Sequence, residues 1–366
     1  MSKRRSSKGK EEKGRSRGRK SKGGGKGIVI DLSDLARYRH LSLAWFVRMA
    51  VAWLVGQDLF EDLVVDSIDR IIGNAVEVVG TLRLSEKERG DVLKYLRGSK
   101  DVDLNTEHFM KWEVKEYTRV FGGGGRKVSE SFSVRPYVFG LYLLGRGLTR
   151  VGGNTYLLME PHSYLRMFSL SLAGFHEFYN RIRNFVAEYE RERANKEKKE
   201  EVSATAFLAT LAGLVIAELR RNKVNTCMIR EVVGIPCKEP QIDINKKGEE
   251  TKKEEAVGGN VFVLYIVRKD GIIPLDLTSL VRDILRLEMV FRINWSKILA
   301  SLADEFINHR RGGVVDAMNL VGDTLYRYSV TGDLGYVYNL IRAVTTSESY
   351  TDLRNLVFGG GDEGGY

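Results

Sequence analysis

Asn260 to Gly271 reads NVFVLYIVRKDG, a β-branched and aromatic run closed by Asp270-Gly271. A run of this kind fits a pleated, half-buried surface, and the Asp-Gly pair marks a turn at its end, so a strand is predicted here. Everything beyond it reads as helix. INWSKILASLADEFI, AMNLVGDTLYRYSV and LGYVYNLIRAV carry apolar residues at helical spacing, with breaks near Gly312-Gly313, Gly332 and Thr345. That pattern predicts four or five helices packed as a C-terminal bundle.

Upstream of the strand, residues 241–258 (QIDINKKGEETKKEEAVG) hold little to bury and read as an exposed charged linker. A second charge-rich stretch, residues 187–202, reads as the end of a helix. Between residues 28 and 240 the elements are mixed. The stretch from 34 to 56 reads as a buried helix after a cap at Ser33, and a second helix is expected from about Asp58 to Ile72. Ser85 and Glu88 form a capping box before a third helix that ends near Gly98. WEVKEYTRVF and VSESFSV partly alternate polar and apolar residues around Gly122–Gly125, which predicts a hairpin with a glycine tip. Pro136 opens a helix, TYLLMEP reads as a short strand, and one long helix is expected from about Ser163 to Glu192. The helix SATAFLATLAGLVIAELRRN follows, with a small-residue face suited to close packing. The expected fold is therefore α+β and predominantly helical. It comprises a mixed domain over 28–240, a charged linker, a strand plus helical bundle over 259–358, and a flexible Gly-rich end over 359–366.

Residues 1–27 differ from all of this. They carry twelve Lys and Arg, among them Lys3, Arg4, Arg5, Arg15, Arg17, Arg19 and Lys20, against Glu11 and Glu12 alone. Their net charge of +10 equals that of the whole 366-residue chain, so 46 basic and 46 acidic side chains balance in the remainder. With no apolar residue between Met1 and Ile28, nothing offsets the entropy of ordering this segment. A disordered polycationic tail is expected, suited to nonspecific phosphate contacts that release counterions. The alternative is a solubilising extension.

The charged start excludes a secretory signal, and Arg48 interrupts the apolar run Leu41–Val55, which is in any case too short to span a bilayer. A cytoplasmic protein without a membrane partner is expected. Two cysteines, Cys227 and Cys237, are too few for a disulfide framework, and their spacing matches neither a redox CxxC pair nor a zinc site. No metal and no cofactor is expected. A charged fraction of 29% with few Cys and five Pro is compatible with a thermophilic source, although 38 Gly run against unusually rigid loops.

No catalytic constellation stands out. His40, His108, His162, His176 and His309 are scattered without partners at ligand spacing. GGGGRKVS, residues 122–129, offers unhindered backbone N–H groups beside two cations, but Val128 stands where a phosphate-binding GxxxxGK[ST] loop needs a hydroxyl. Local charge says more. Thr118 to Val186 holds nine basic residues, Arg119, Arg126, Lys127, Arg135, Arg146, Arg150, Arg166, Arg181 and Arg183, against Glu130, Glu160 and Glu177. Residues 57–117 carry the opposite sign, 14 acidic against nine basic. Arginine suits bidentate phosphate and guanine contacts, and Tyr137, Tyr142, Tyr156 and Tyr164 lie among these as candidate stacking partners. A nucleic-acid surface is expected over this stretch; cations spread across several helix faces are the alternative.

The mixed N-terminal part, the long charged insertion, the strand NVFVLYIVRKDG and a helical end reading YVYNLIRAVTTSESYTDLRNLV together resemble the large subunit of archaeal type I-A CRISPR interference complexes. The likeness lies in chain length and in residues 260–358, and no motif residue carries over. It implies a non-catalytic subunit of a crRNA-guided Cascade that recognises the protospacer-adjacent motif and stabilises opened target DNA. Its implied partners are crRNA, target DNA, the other Cascade subunits and a separate helicase–nuclease. Two other readings compete: a nucleic-acid-coating assembly protein and a nucleic-acid-processing enzyme.

Overall fold

The computed structural model describes residues 28–36, 42–57, 59, 68–82, 84–103, 132–168, 172–194, 201–237, 261–268, 271–308, 313–346 and 354. The expected tail (1–27), the first arm and tip of the expected hairpin (112–131), the linker 241–258 and the end 359–366 lie outside these residues.

The fold is α+β and predominantly helical, as predicted. One small sheet joins β1 (Ile28–Ile30), β2 (Val102–Asp103) and β3 (Phe132–Val134) in the order β1-β3-β2, with β1 parallel and β2 antiparallel to β3. The second sheet is antiparallel, in the order β4-β5-β6, from β4 (Thr155–Met159), β5 (Phe262–Arg268) and β6 (Gly271–Asp276). Strand β6 corrects the expectation that only helices follow residue 271. Its sequence GIIPLD hides the strand behind Pro274, which a ladder interior rejects for want of an N–H. As an edge strand β6 has a free side that needs no donor.

The helices α1 (Ser42–Val55), α2 (Ile68–Val78), α3 (Glu86–Leu96) and α4 (Pro136–Thr149) pack on one another, and α1 and α4 also pack on β4. The 34–56 helix is realised as a 3-10 turn at Leu32–Ala36 followed by α1, with 37–41 outside the described residues. Of the helix expected from about Asp58 to Ile72, residues 58 and 60–67 lie outside the described residues, and α2 runs past Ile72 to Val78. α1 and α4 cross closely because α4 offers a glycine there: a Cβ on Gly145 would lie 2.0 Å from the Phe46 carbonyl oxygen. The predicted capping box is present, with the Ser85 N–H donating to Glu88 Oε2 at 2.9 Å and the Glu88 N–H donating to Ser85 Oγ at 3.3 Å.

The single helix expected over 163–192 is two, α5 (Pro161–Phe168) and α6 (Leu172–Ala194). α7 (Ala204–Arg221), capped by the Ser203 hydroxyl, leads to the short α8 (Thr226–Val232). The C-terminal bundle is α9 (Thr278–Phe291), α10 (Trp295–Asn308), α11 (Val314–Thr331) and α12 (Gly335–Thr346), and Gly332 ends α11 at φ 72°. α7 is its hub, packed on both α10 and α11. Its small residues permit this: a Cβ on Gly213 would meet Leu299 Cβ at 2.6 Å, and Ala206 leaves a Cβ on Gly322 only 2.7 Å from its Cα.

The expected division at 241–258 does not separate two cores. β4 pairs with β5 across it, α7 packs into the bundle across it, and the buried apolar residues form one contiguous cluster from Ile30 to Val344. Among the described residues no helix is long and apolar enough to cross a membrane.

Candidate nucleic-acid interface

Arg119, Arg126 and Lys127 lie outside the described residues. The other six expected cations are placed by α4, β4, α5 and α6, and they fall into two groups.

Arg146, Arg181 and Arg183 are drawn into the fold. α4 carries Arg146 between the rings of Tyr142 and Tyr156, 5.6 and 5.2 Å from their centroids, and its Nη2 donates to Tyr156 Oη at 2.5 Å. Arg181 Nη1 on α6 donates to Glu218 Oε1 on α7 at 2.6 Å, while its other nitrogens grip the Asp304 carboxylate on α10 and the Ala300 carbonyl. Burial opposes its charge, but Asp304 and Glu218 outweigh that penalty and hold its pKa above the ordinary arginine value. Arg183 donates to the carbonyls of Arg150 and Leu148 at 2.7 and 2.9 Å, tying α6 to the end of α4, and sits over the Tyr179 ring.

Arg135, Arg150 and Arg166 stay half exposed, at 49, 43 and 43% of their side-chain surface. Each leans on surface carboxylates. Arg135 lies 3.4 Å from Asp101 and 3.8 Å from Asp31, Arg150 2.8 Å from Glu88, and Arg166 3.1 Å from Glu231. Asp101 and Glu88 come from the acidic 57–117 stretch, so the charge asymmetry visible along the chain partly cancels in space. Arg150 also donates to the carbonyls of Gly152 and Gly153, at 3.1 and 3.0 Å.

Arg146 and Arg150 share a shallow cleft between α3, α4 and β4, with Glu88, Asp91, Leu143 and Tyr156 on its walls. The cleft is mixed in sign. The Ser85 N–H holds the Glu88 carboxyl below its usual range against the opposing cost of burial, and the Ser85 hydroxyl and Arg150 add to the lowering. A phosphate entering the cleft must displace Glu88 from Arg150.

Tyr142, Tyr156 and Tyr164 are core rather than stacking platforms, which corrects that expectation for three of the four tyrosines. Tyr142, Tyr156 and Tyr164 are at most 2% exposed, and the Tyr137 hydroxyl is bound to the Asp31 carboxylate. Burial, reinforced by Asp31, drives the Tyr137 hydroxyl pKa well above its ordinary value. The Tyr142 and Tyr156 rings sit in the core, with Phe46 edge-on to both.

Sequence reasoning missed several polar clusters. Arg48, read as a mere interruption of an apolar run, is 8% exposed and donates to Glu160 at 3.1 Å, while Glu160 accepts from the Ser163 N–H at the start of α5. Arg220 on α7 binds Glu288 at 2.6 Å and the Ser296 hydroxyl at 2.7 Å. The two cysteines, ten residues apart, are joined as a disulfide. A charged residue inside an otherwise apolar helix was the signal available for Arg48 and for Glu218, because burial of a charge demands a partner. Their partners lie too far along the chain for spacing to reveal. Compared with family models, with curated protein sequences and with solved structures, the chain matches none of them.

Proposed function

We propose that the protein is a non-catalytic, nucleic-acid-binding large subunit of a crRNA-guided antiviral complex of type I-A, acting in the cytoplasm. In this reading it recognises the protospacer-adjacent motif and holds opened target DNA for a separate helicase–nuclease. One observation carries the nucleic-acid part: the chain's whole net charge of +10 is concentrated in residues 1–27, beside a charge-balanced remainder. Such a segment gains affinity for any polyanion through counterion release. The assignment to a guided complex rests on the resemblance of residues 260–358.

Within residues 118–186 the contacts fall to Arg135, Arg150 and Arg166, together with Arg119, Arg126 and Lys127. An exposed ion pair contributes only about 0–1 kcal/mol, so a phosphate can take such a guanidinium from its carboxylate. Arg146, Arg181 and Arg183 are committed to internal acceptors and are left out.

The test is purification of the tagged protein from its host at low salt, followed by sequencing of the bound RNA. Repeat-derived guide RNA with co-purifying Cascade subunits is the expected result. Bound nucleic acid without repeat sequence, or self-assembly in the absence of any guide, overturns the guided-complex reading in favour of a coating protein.

A further inference from the structure

α8 begins where the Asn225 side chain accepts the Cys227 N–H at 2.7 Å. Cys227 and Glu231 stand one turn apart on it, on the same face. After Val232 the chain reverses at Gly234, whose φ of 83° is open to glycine at no steric cost. The Ile235 N–H returns to the Arg230 carbonyl at 2.8 Å, and Ile235 itself is buried, which pins the reversal. Cys237 is thereby laid over the Cys227–Glu231 face, with the two cysteine Cα atoms 5.0 Å apart.

We propose that Cys227, Cys237 and Glu231 form a redox-gated site for a thiophilic divalent cation of the Zn2+ class. One ligand atom from each residue lies within 4.8 Å of the others, the sole such group of His, Cys, Asp or Glu among the described residues. Tetrahedral Zn2+ with Zn–S near 2.3 Å separates two sulfurs by about 3.8 Å, within reach of side-chain rotation once the sulfurs part. The carboxylate is already oriented. Glu231 Oε1 faces Cys227 Sγ at 3.9 Å, while Oε2 is held by Arg166 Nη2 at 3.1 Å. A second partner of this kind fixes a ligating carboxylate and spares the ligating oxygen. Three protein ligands leave a fourth position open to water or an exchangeable ligand. Two sulfurs exclude Mg2+ and Ca2+, which take oxygen ligands.

The gate is the disulfide. Oxidised, the two sulfurs are bonded to one another and offer no thiolate. A dithiol reductant transfers two electrons and two protons to the bond, leaving two thiols and becoming a disulfide itself. Each thiol then releases its proton to solvent as its sulfur takes the ion.

The experiment uses the full chain, reduced with a dithiol that is then removed under anaerobic conditions, and titrated with Co2+ as a spectroscopic probe. The expected result is one Co2+ per chain with thiolate-to-cobalt charge-transfer absorption, displaced by Zn2+ and unaffected by excess Mg2+. The oxidised chain shows no such band, and Cys237→Ser abolishes it. Glu231→Gln and Arg166→Ala weaken Co2+ binding by about 10-fold or more without losing helical circular dichroism. A reduced wild-type chain that develops no charge-transfer band overturns the proposal. So does a band that survives Cys237→Ser, or an affinity unmoved by Glu231→Gln.

Discussion

Arg181 on α6 reaches the Glu218 carboxylate on α7 at 2.6 Å, where Glu218 keeps only 2% of its side chain exposed. The pair, with Asp304, is a three-helix clasp linking α6, α7 and α10. Removing Arg181 leaves the buried Glu218 carboxylate to the exposed Arg221, 3.8 Å away, and loss of a buried pair's partner typically costs about 3–5 kcal/mol. Arg181→Ala is therefore expected to lower unfolding free energy in urea by about 3 kcal/mol, and Arg181→Lys to lose part of it with the guanidinium fork. Full stability with selectively weakened nucleic-acid binding would return Arg181 to the interface.

Glycine substitutions should split by location. Gly145→Ala drives a methyl into the Phe46 backbone and is expected to cost about 2 kcal/mol or more. Gly90→Ala, inside α3 with nothing within 4 Å of the added carbon, should stabilise by about 0.5–1 kcal/mol. Thermal melts of the two variants against the parent decide the matter; equal shifts would reject the close α1–α4 crossing.

The capping box carries a pH signature. Because the folded state lowers the Glu88 pKa, its contribution is complete above the ordinary glutamate value and fades as pH falls through the folded one. Glu88→Gln should be less stable than the parent at neutral pH, with the gap closing as the pH falls through and below the ordinary glutamate value. A gap constant across that range contradicts the lowered pKa. Ser85→Ala should cost about 1 kcal/mol at neutral pH.

Deleting residues 1–27 is expected to flatten the dependence of DNA affinity on salt, since each lost phosphate contact removes about 0.9 from the logarithmic slope. Melting temperature should not move. An unchanged slope denies these residues any part in phosphate binding.

Local signals were legible because their physics is local. Ser85 with Glu88, Pro136 at the first turn of α4 and the stop at Gly332 each act within a few residues, and each stands where it was expected. β6 was hidden because Pro274 argues against a strand until the sheet order shows a free edge. The arginine stretch misled for a related reason. Its positive sum is visible along the chain, whereas the carboxylates that neutralise it come from elsewhere: Glu88, Glu218, Glu231 and Asp304 from α3, α7, α8 and α10, and Asp101 from the residue before β2. Aromatic residues interleaved with cations read equally as stacking platforms or as core, and only burial separated the two. The cysteine pair needed the reversal at Gly234 before ten residues of separation became contact.

The pairing of Leu157 with Leu264 sets a timetable for synthesis. A ribosome adding 5–20 residues per second delivers β5 on the order of 10 s after β4. Throughout that interval TYLLM, fully buried in the finished protein, waits as an apolar strand whose β5-facing edge is open. Fragments that stop before residue 260 should therefore collect in inclusion bodies however well their helices form, and slow translation of the 241–258 stretch would lengthen the exposure.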